Sequence, residues 1–284
     1  MNSLALKLLL CTNGSAASLP ALEYGEWLAT LARSPSIILG IVEQPSRRGA
    51  VEAEAERCLR RLLEARLEAE VRIVEGRAEH AITLEAGRGS YLTVVGPLGR
   101  SSLRRLALGS SFRRILASVP TPILLVPCVR LPLQRILVCS GGLSYALDAE
   151  RLAVSLASLT GASLTLVHVV EPVTLDYPLA REVEAHWKSL LATDTPQGRN
   201  LQAAVKVAEQ AGMSMDTRVR RGSPVREILR EMRQECYDLV AMGSAYSSRS
   251  LRRLALPNVT AEVAEAALCP VLTVRAGSTT GPSA

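Results

Sequence analysis

Ser102-Leu103-Arg104-Arg105-Leu106-Ala107-Leu108 recurs letter for letter at Ser250 to Leu256. A seven-residue echo in a chain of 284 residues marks one unit built twice, and that constrains the fold before any local propensity does. Leu9-Leu10-Cys11-Thr12-Asn13-Gly14 answers to Leu137-Val138-Cys139-Ser140-Gly141-Gly142, 128 positions on. Gly40-Ile41-Val42-Glu43 answers to His168-Val169-Val170-Glu171 at the same spacing. Arg72-Ile73-Val74-Glu75-Gly76 meets Arg218-Val219-Arg220-Arg221-Gly222 at 146, and Pro122–Val126 meets Pro270–Val274 at 148. The growing offset places most of an insertion between Pro172 and Arg199, whose Asp, Pro, Thr and Gly content reads as loop or mobile segment.

Within each copy, short apolar runs alternate with amphipathic stretches. The first copy has runs at Leu6–Cys11, Ile37–Val42, Val71–Glu75, Leu92–Gly96 and Ile123–Pro127. Several are continuously apolar and β-branched, as strands covered on both faces are. Helical patterns fill the gaps at Ala16–Ala32, Val51–Glu68, Ala78–Ala86 and Ser110–Ala117. The second copy repeats the order, with strands at Arg135–Cys139, Leu164–Val170, Asp216–Arg220, Leu239–Gly243 and Val271–Val274. Its helices are expected at Ala146–Leu159, Asn200–Ala211, Pro224–Glu235 and Thr260–Ala267. Such alternation implies α/β domains with parallel strands and right-handed crossovers. The expected domains are 1–130 and 131–276, with 277–284 a disordered tail of Gly, Ser, Thr, Pro and Ala. The join near Cys128–Leu133 is short enough to keep the two domains in contact.

Composition narrows the function. Aromatic residues are 3% of the chain and aliphatic ones must fill the core. The net charge of +6 favours anionic ligands such as phosphates, but the stacking platforms of single-strand binders are nearly absent, so nucleic acid is not an expected partner. No apolar run approaches the ~20 residues of a membrane span, and Met1 to Leu10 reads as the lead-in to a strand rather than an export leader. Six scattered cysteines without a CxxC pair, together with three histidines, offer neither a disulfide framework nor a zinc site. A cytoplasmic protein with reduced thiols is expected, and Cys11 and Cys139 read as small buried hydrophobes.

In a parallel sheet ligands bind beyond the carboxyl ends of the strands, where strand order reverses. The fourth strand of the first copy leads into Gly96-Pro97-Leu98-Gly99, then nine residues, then Gly109-Ser110-Ser111. The glycines permit tight turns, and Gly109-Ser110-Ser111 opens a helix whose unpaired N–H groups suit a phosphate. Arg100, Arg104 and Arg105 in the connecting loop add positive charge. The Walker A pattern is missing, and glycines that merely allow turns are the plainer alternative.

The spacing Gly96-x2-Gly99-x9-Gly109-Ser110 resembles the glycine-serine pattern of ATP-binding universal stress proteins. Cys11-Thr12-Asn13-Gly14-Ser15 is similar to that family's loop after strand one, and Thr121–Val126 and Cys269–Val274 to its last strand. The resemblance implies two tandem Rossmann-like domains of the adenine nucleotide alpha hydrolase-like kind, each a five-stranded parallel sheet flanked by helices. It implies ATP, alone or with magnesium, in the first domain. Asn13 and the backbone at Ile41 would contact adenine, Val95 and Gly96 would lie along the ribose, and Gly99, Gly109, Ser110 and Ser111 would hold the phosphates. It further implies pairing of the two halves through their last strands inside one chain, with a homodimer of such chains as a further state. The role it implies is a nucleotide-dependent stress regulator acting through protein partners.

Departures qualify that inheritance. Asn13 stands where the family has an acid, and Pro97 removes a backbone donor from the first glycine turn. In the second copy Tyr246 falls near the place of Gly99, and Pro257-Asn258 replaces Gly109-Ser110, so that copy is not expected to bind ATP in the same way. Ser140-Gly141-Gly142-Leu143-Ser144 resembles the phosphate loop of adenylating PP-loop enzymes but lacks its Asp. No carboxylate pair or histidine lies in the proposed cradle, so no catalytic residue is assigned and no metal ligand is named. His168 reads as a core or surface histidine, His80 lies in the third helix pattern and His186 in the insertion. Glu43 and Glu171 read as solvated loop acids, and the Arg47-Arg48, Arg60-Arg61, Arg113-Arg114 and Arg252-Arg253 pairs as solvated faces. Trp187 makes the insertion a lid, a docking surface or a self-packed loop, and a nucleotide-free interaction protein is the competing function.

Overall fold

The computed structural model describes residues 7–97, 111–141, 147–171, 187–244 and 259–275. The first copy runs β1 (Lys7–Thr12), α1 (Leu19–Ala32), β2 (Ser36–Val42), a 3-10 turn (Pro45–Arg47), α2 (Arg48–Glu64), β3 (Ala69–Glu75), α3 (Ala78–Ala86), β4 (Tyr91–Val95), α4 (Ser111–Ser118) and β5 (Ile123–Leu125). The second runs β6 (Arg135–Ser140), α5 (Leu147–Thr160), β7 (Ser163–Val170), a 3-10 turn (Trp187–Ala192), α6 (Pro196–Gln210), β8 (Met215–Arg221), α7 (Pro224–Glu235), β9 (Leu239–Ser244), α8 (Val259–Ala266) and β10 (Val271–Arg275).

All ten strands join in a single sheet, in the order β3-β2-β1-β4-β5-β10-β9-β6-β7-β8. Each copy is a parallel five-stranded array. The arrays meet where β5 pairs antiparallel with β10, Leu124 opposite Leu272. Side chains alternate across the strands and build two cores. Leu8, Leu10, Ile38, Val138 and Leu166 pack with α1, α2, α5 and α6 on one face. Leu9, Cys11, Leu39, Cys139 and Val167 pack with α3, α7 and α8 on the other. Cys11 and Cys139 are buried as expected, and burial pushes both thiols up, away from the reactive thiolate.

One ion pair is built twice. Arg72 of β3 meets Glu85 of α3, and 146 positions later Arg218 of β8 meets Glu231 of α7 at 2.7 Å. Glu85 and Glu231 are 3% and 0% exposed. Each buried carboxylate has further partners, Arg88 on Glu85 at 2.9 Å and Arg220 with the Tyr237 hydroxyl on Glu231, so losing either arginine would weaken the pairing of a buried charge without emptying it.

Several boundaries and roles differ from expectation. α1 starts at Leu19, three residues later than its pattern, because Ser18 N–H donates to the Ser15 carbonyl at 2.9 Å and closes a turn first. α6 starts at Pro196, inside the stretch read as loop, because the Thr195 hydroxyl caps it by accepting from Gly198 N–H at 3.1 Å. Trp187 packs partly buried against the core and Leu190 is fully buried, so the described end of the insertion is packed structure. Arg113 is exposed, as a solvated face would be, and it also makes a two-pronged pair with Glu265 across the copies, at 3.1 and 3.0 Å. Residues 172–186, Arg252-Arg253, His186 and the tail lie outside the described residues.

Backbone alternation directs Thr273 toward β5, because Val240 N–H donates to Pro270 and so the even-numbered residues of β10 face β9. Replacing Thr273 by proline should remove a donor from the seam and cost at least about 2 kcal/mol. Urea denaturation with both halves monitored would show the loss, and an unchanged midpoint would mean the seam contributes little.

Candidate functional site

Strand order reverses in the first copy between β1 and β4, whose neighbours β2 and β5 lie on opposite sides. The crevice there is framed by three loops. β1 delivers Asn13 and Gly14. Gly14 has φ +67° and lies so close to α2 that an added Cβ would come within 2.9 Å of the Val51 nitrogen. β4 delivers Gly96 against the turn that opens α1, where an added Cβ would meet the Ala17 carbonyl oxygen at 2.5 Å. β2 delivers Ile41. Gly76 N–H donates to the Val42 carbonyl at 3.1 Å, so Val42 faces β3 and Ile41 faces β1, beyond the last β1–β2 pair Thr12–Gly40. The Ile41 backbone therefore stands at the crevice, while its side chain is buried below.

Polar contacts organise the same rim. The Asn13 carboxamide oxygen accepts from Ser15 N–H at 3.2 Å and from the Ser15 hydroxyl at 2.6 Å. That leaves the amide NH2 as its outward chemistry, a donor where the family acid would accept. The Thr12 hydroxyl donates to Glu54 of α2 at 2.7 Å, and Arg47 donates to the Gly14 carbonyl at 3.3 Å. Glu43, read as a solvated acid, instead caps α3 by accepting from Ala78 N–H at 3.1 Å.

Asn13, Ile41, Val95 and Gly96 thus converge on the carboxyl ends of adjacent strands. Ser111 is the first residue of α4. Gly99, Gly109 and Ser110 lie outside the described residues. Glu54 was not singled out by sequence, and Arg47 was read only as part of a solvated face. Both sit on the α2 side of the rim, and helical periodicity marks them only as polar-face residues.

The second crevice is different in kind. His168 is buried, and its Nδ1 lies 2.8 Å from the Ser140 carbonyl. Burial lowers its pKa, opposed by that hydrogen bond, so the ring is neutral at ordinary pH. Glu150 on the first turn of α5 is 1% exposed, and neither carboxyl oxygen has a hydrogen-bond partner. Burial pushes it up to about 7, with the Ser140 hydroxyl and Arg151 near enough to oppose the shift. The signal for Glu150 was present in the repeat: 128 positions earlier stands Leu22.

The universal stress protein family model matches twice, over residues 6–127 and 132–275. The chain belongs to the universal stress protein family. A universal stress protein of Methanocaldococcus jannaschii is 26% identical over 143 residues, covering 50% of this chain and 82% of its own length. A crystal structure of a universal stress protein from Archaeoglobus fulgidus superposes with a TM-score of 0.71 at 20% identity, covering 96% of this chain and 99% of that one. One from Pseudomonas aeruginosa reaches 0.67 at 15% identity, covering 95% and 92%. These structural likenesses bear out the tandem α/β architecture. Among the described residues no helix is long and apolar enough to cross a membrane, and no cluster of three His, Cys, Asp or Glu could hold a metal.

Two tests follow. Gly96→Ala should drive a methyl into backbone and lower stability by about 1–3 kcal/mol in chemical denaturation; a neutral result would mean the α1 turn yields freely. Glu150 binds its proton more tightly when folded, so its share of stability is full below the ordinary carboxylate pKa and is lost as pH rises to about 7. Relative to Glu150→Leu, the wild type should therefore lose about 3 kcal/mol between pH 4.5 and 8. Parallel urea curves over that range check it, and equal slopes would place the carboxyl in water.

Proposed function

We propose that this chain is a nucleotide-dependent stress regulator that binds ATP in its first crevice and acts through protein partners, not as a catalyst. One observation carries the reading. Gly96, the first glycine of the Gly96-x2-Gly99-x9-Gly109-Ser110 spacing, sits at the end of β4 beside β1, and α4 begins at Ser111 immediately after the last of them. A glycine loop joining a switch-point strand to a helix start is the arrangement that presents backbone N–H groups to phosphates.

In this reading the Ile41 backbone and the Asn13 amide meet the base, Val95 and Gly96 flank the ribose, and Gly99, Gly109, Ser110 and Ser111 take the phosphates. Magnesium, if carried, would ride on the phosphates: the Asn13 oxygen is occupied by Ser15 and no acidic cluster faces it among the described residues. The second crevice, with Pro257-Asn258 in place of Gly109-Ser110, does not take ATP in the same manner. Binding would favour one conformation of the first domain and so alter partner contacts, by linkage. The reading places the protein in the cytoplasm.

A nucleotide-free interaction role is the second reading, favoured by Arg47, which draws the β2–α2 connection onto the β1 loop. Calorimetric titration separates the two. ATP should bind with a stoichiometry of one per chain, and Gly109→Pro, which copies the second half, should abolish it. No heat with wild type would favour the interaction role, and two equal sites would refute the asymmetry.

A further inference from the structure

Beneath the first turn of α5, the second copy gathers chemistry that the first lacks. At the constant spacing of 128, Glu150 stands for Leu22, His168 for Gly40 and Ser140 for Thr12. Ser140 and His168 lie on the sheet face covered by α5 and α6, at the carboxyl ends of β6 and β7, and Glu150 is buried on the first turn of α5. In the first copy the strand-end hydroxyl already has its carboxylate, because Thr12 donates to the partly exposed Glu54. In the second copy the carboxylate is Glu150, which is buried, and no cation pairs with it among the described residues. Its neighbour Arg151 pairs with Asp148 at 3.4 Å.

The group is rich in acceptors. A carbonyl oxygen can only accept, so the His168 Nδ1 carries the hydrogen that meets Ser140, and Nε2 of the neutral ring is left as an acceptor. Glu150 adds two acceptor oxygens. The packing also differs. A Cβ on Gly40 would come within 2.8 Å of Val51, because α2 lies directly on β2. His168 holds that position in the second copy, where α6 makes its main contacts with α5 and the 3-10 turn.

We propose that the second crevice is a binding site for a compact organic cation, an ammonium or guanidinium group, taken up by Glu150 with His168 and Ser140 beside it. Such a group supplies both the charge and the N–H donors that the cluster lacks. A polyphosphate is excluded by like charge. A transition metal would need a third strong ligand, and no such set exists among the described residues. The site does not depend on ATP binding in the first crevice.

Thermal melting of the full chain at pH 8 tests this, with methylammonium, agmatine and spermidine at millimolar concentration. Tetramethylammonium, which has charge but no N–H, serves as the control. At least one donor cation should raise the wild-type midpoint, and tetramethylammonium should not. Glu150→Gln, which keeps the shape and removes the charge, should weaken the affinity about 10- to 100-fold, the range for a hydrogen bond to a charged group. Glu150→Leu, the first copy's own residue, should abolish the shift while leaving any response to ATP intact. No shift with any donor cation, or equal shifts in wild type and Glu150→Gln, would overturn the proposal.

Discussion

The antiparallel contact between β5 and β10 is the constraint on which the molecule depends. Each copy alone would end its sheet on a short strand with an open edge, a surface that invites uncontrolled pairing. Val271 opposite Leu125 and Thr273 opposite Ile123 close both edges at once. The pairing fuses two small cores into continuous layers above and below one sheet, which suits a chain with few aromatic side chains to fill space. The Arg113–Glu265 pair adds a second tie between α4 and α8 over the same junction.

Strand and helix order was legible because the signal was written twice. α3 and α7 match their patterns at both ends, since each follows a glycine turn and begins at a strong positional cue, Ala78 after Gly76-Arg77 and Pro224 after Ser223. α6 was misplaced for the opposite reason. Reading the insertion by composition hid the local grammar of Thr195 and Pro196, a cap followed by proline, which by itself marks a helix start. The roles of Glu43 and Arg113 were out of reach, because their partners Ala78 and Glu265 lie 35 and 152 positions away and no local pattern names them. The seam between the copies was expected from family likeness alone.

The candidate crevice was legible to a similar depth. Its location followed from the order of strands and from the glycine spacing. Its chemistry did not, since a side-chain oxygen turned back on its own loop, as in Asn13, leaves no trace in composition. Glu150 is the instructive case. As a single letter on an amphipathic helix it looks ordinary, and only alignment of the chain with itself shows an acid where its twin has leucine. Duplication frees the copies to diverge, and here Leu22 packs in the apolar core of the first while Glu150 puts a buried carboxyl in the same place in the second.

The antiparallel seam has a geometric consequence. β5 runs with β4 and β1, while β10 runs with β9 and β6, so the two arrays point in opposing directions along one sheet. Their crevices consequently open on opposite rims of the molecule. Whatever occupies one is screened from the other by the full breadth of the fused layers, and any message between them has to travel through the shared centre.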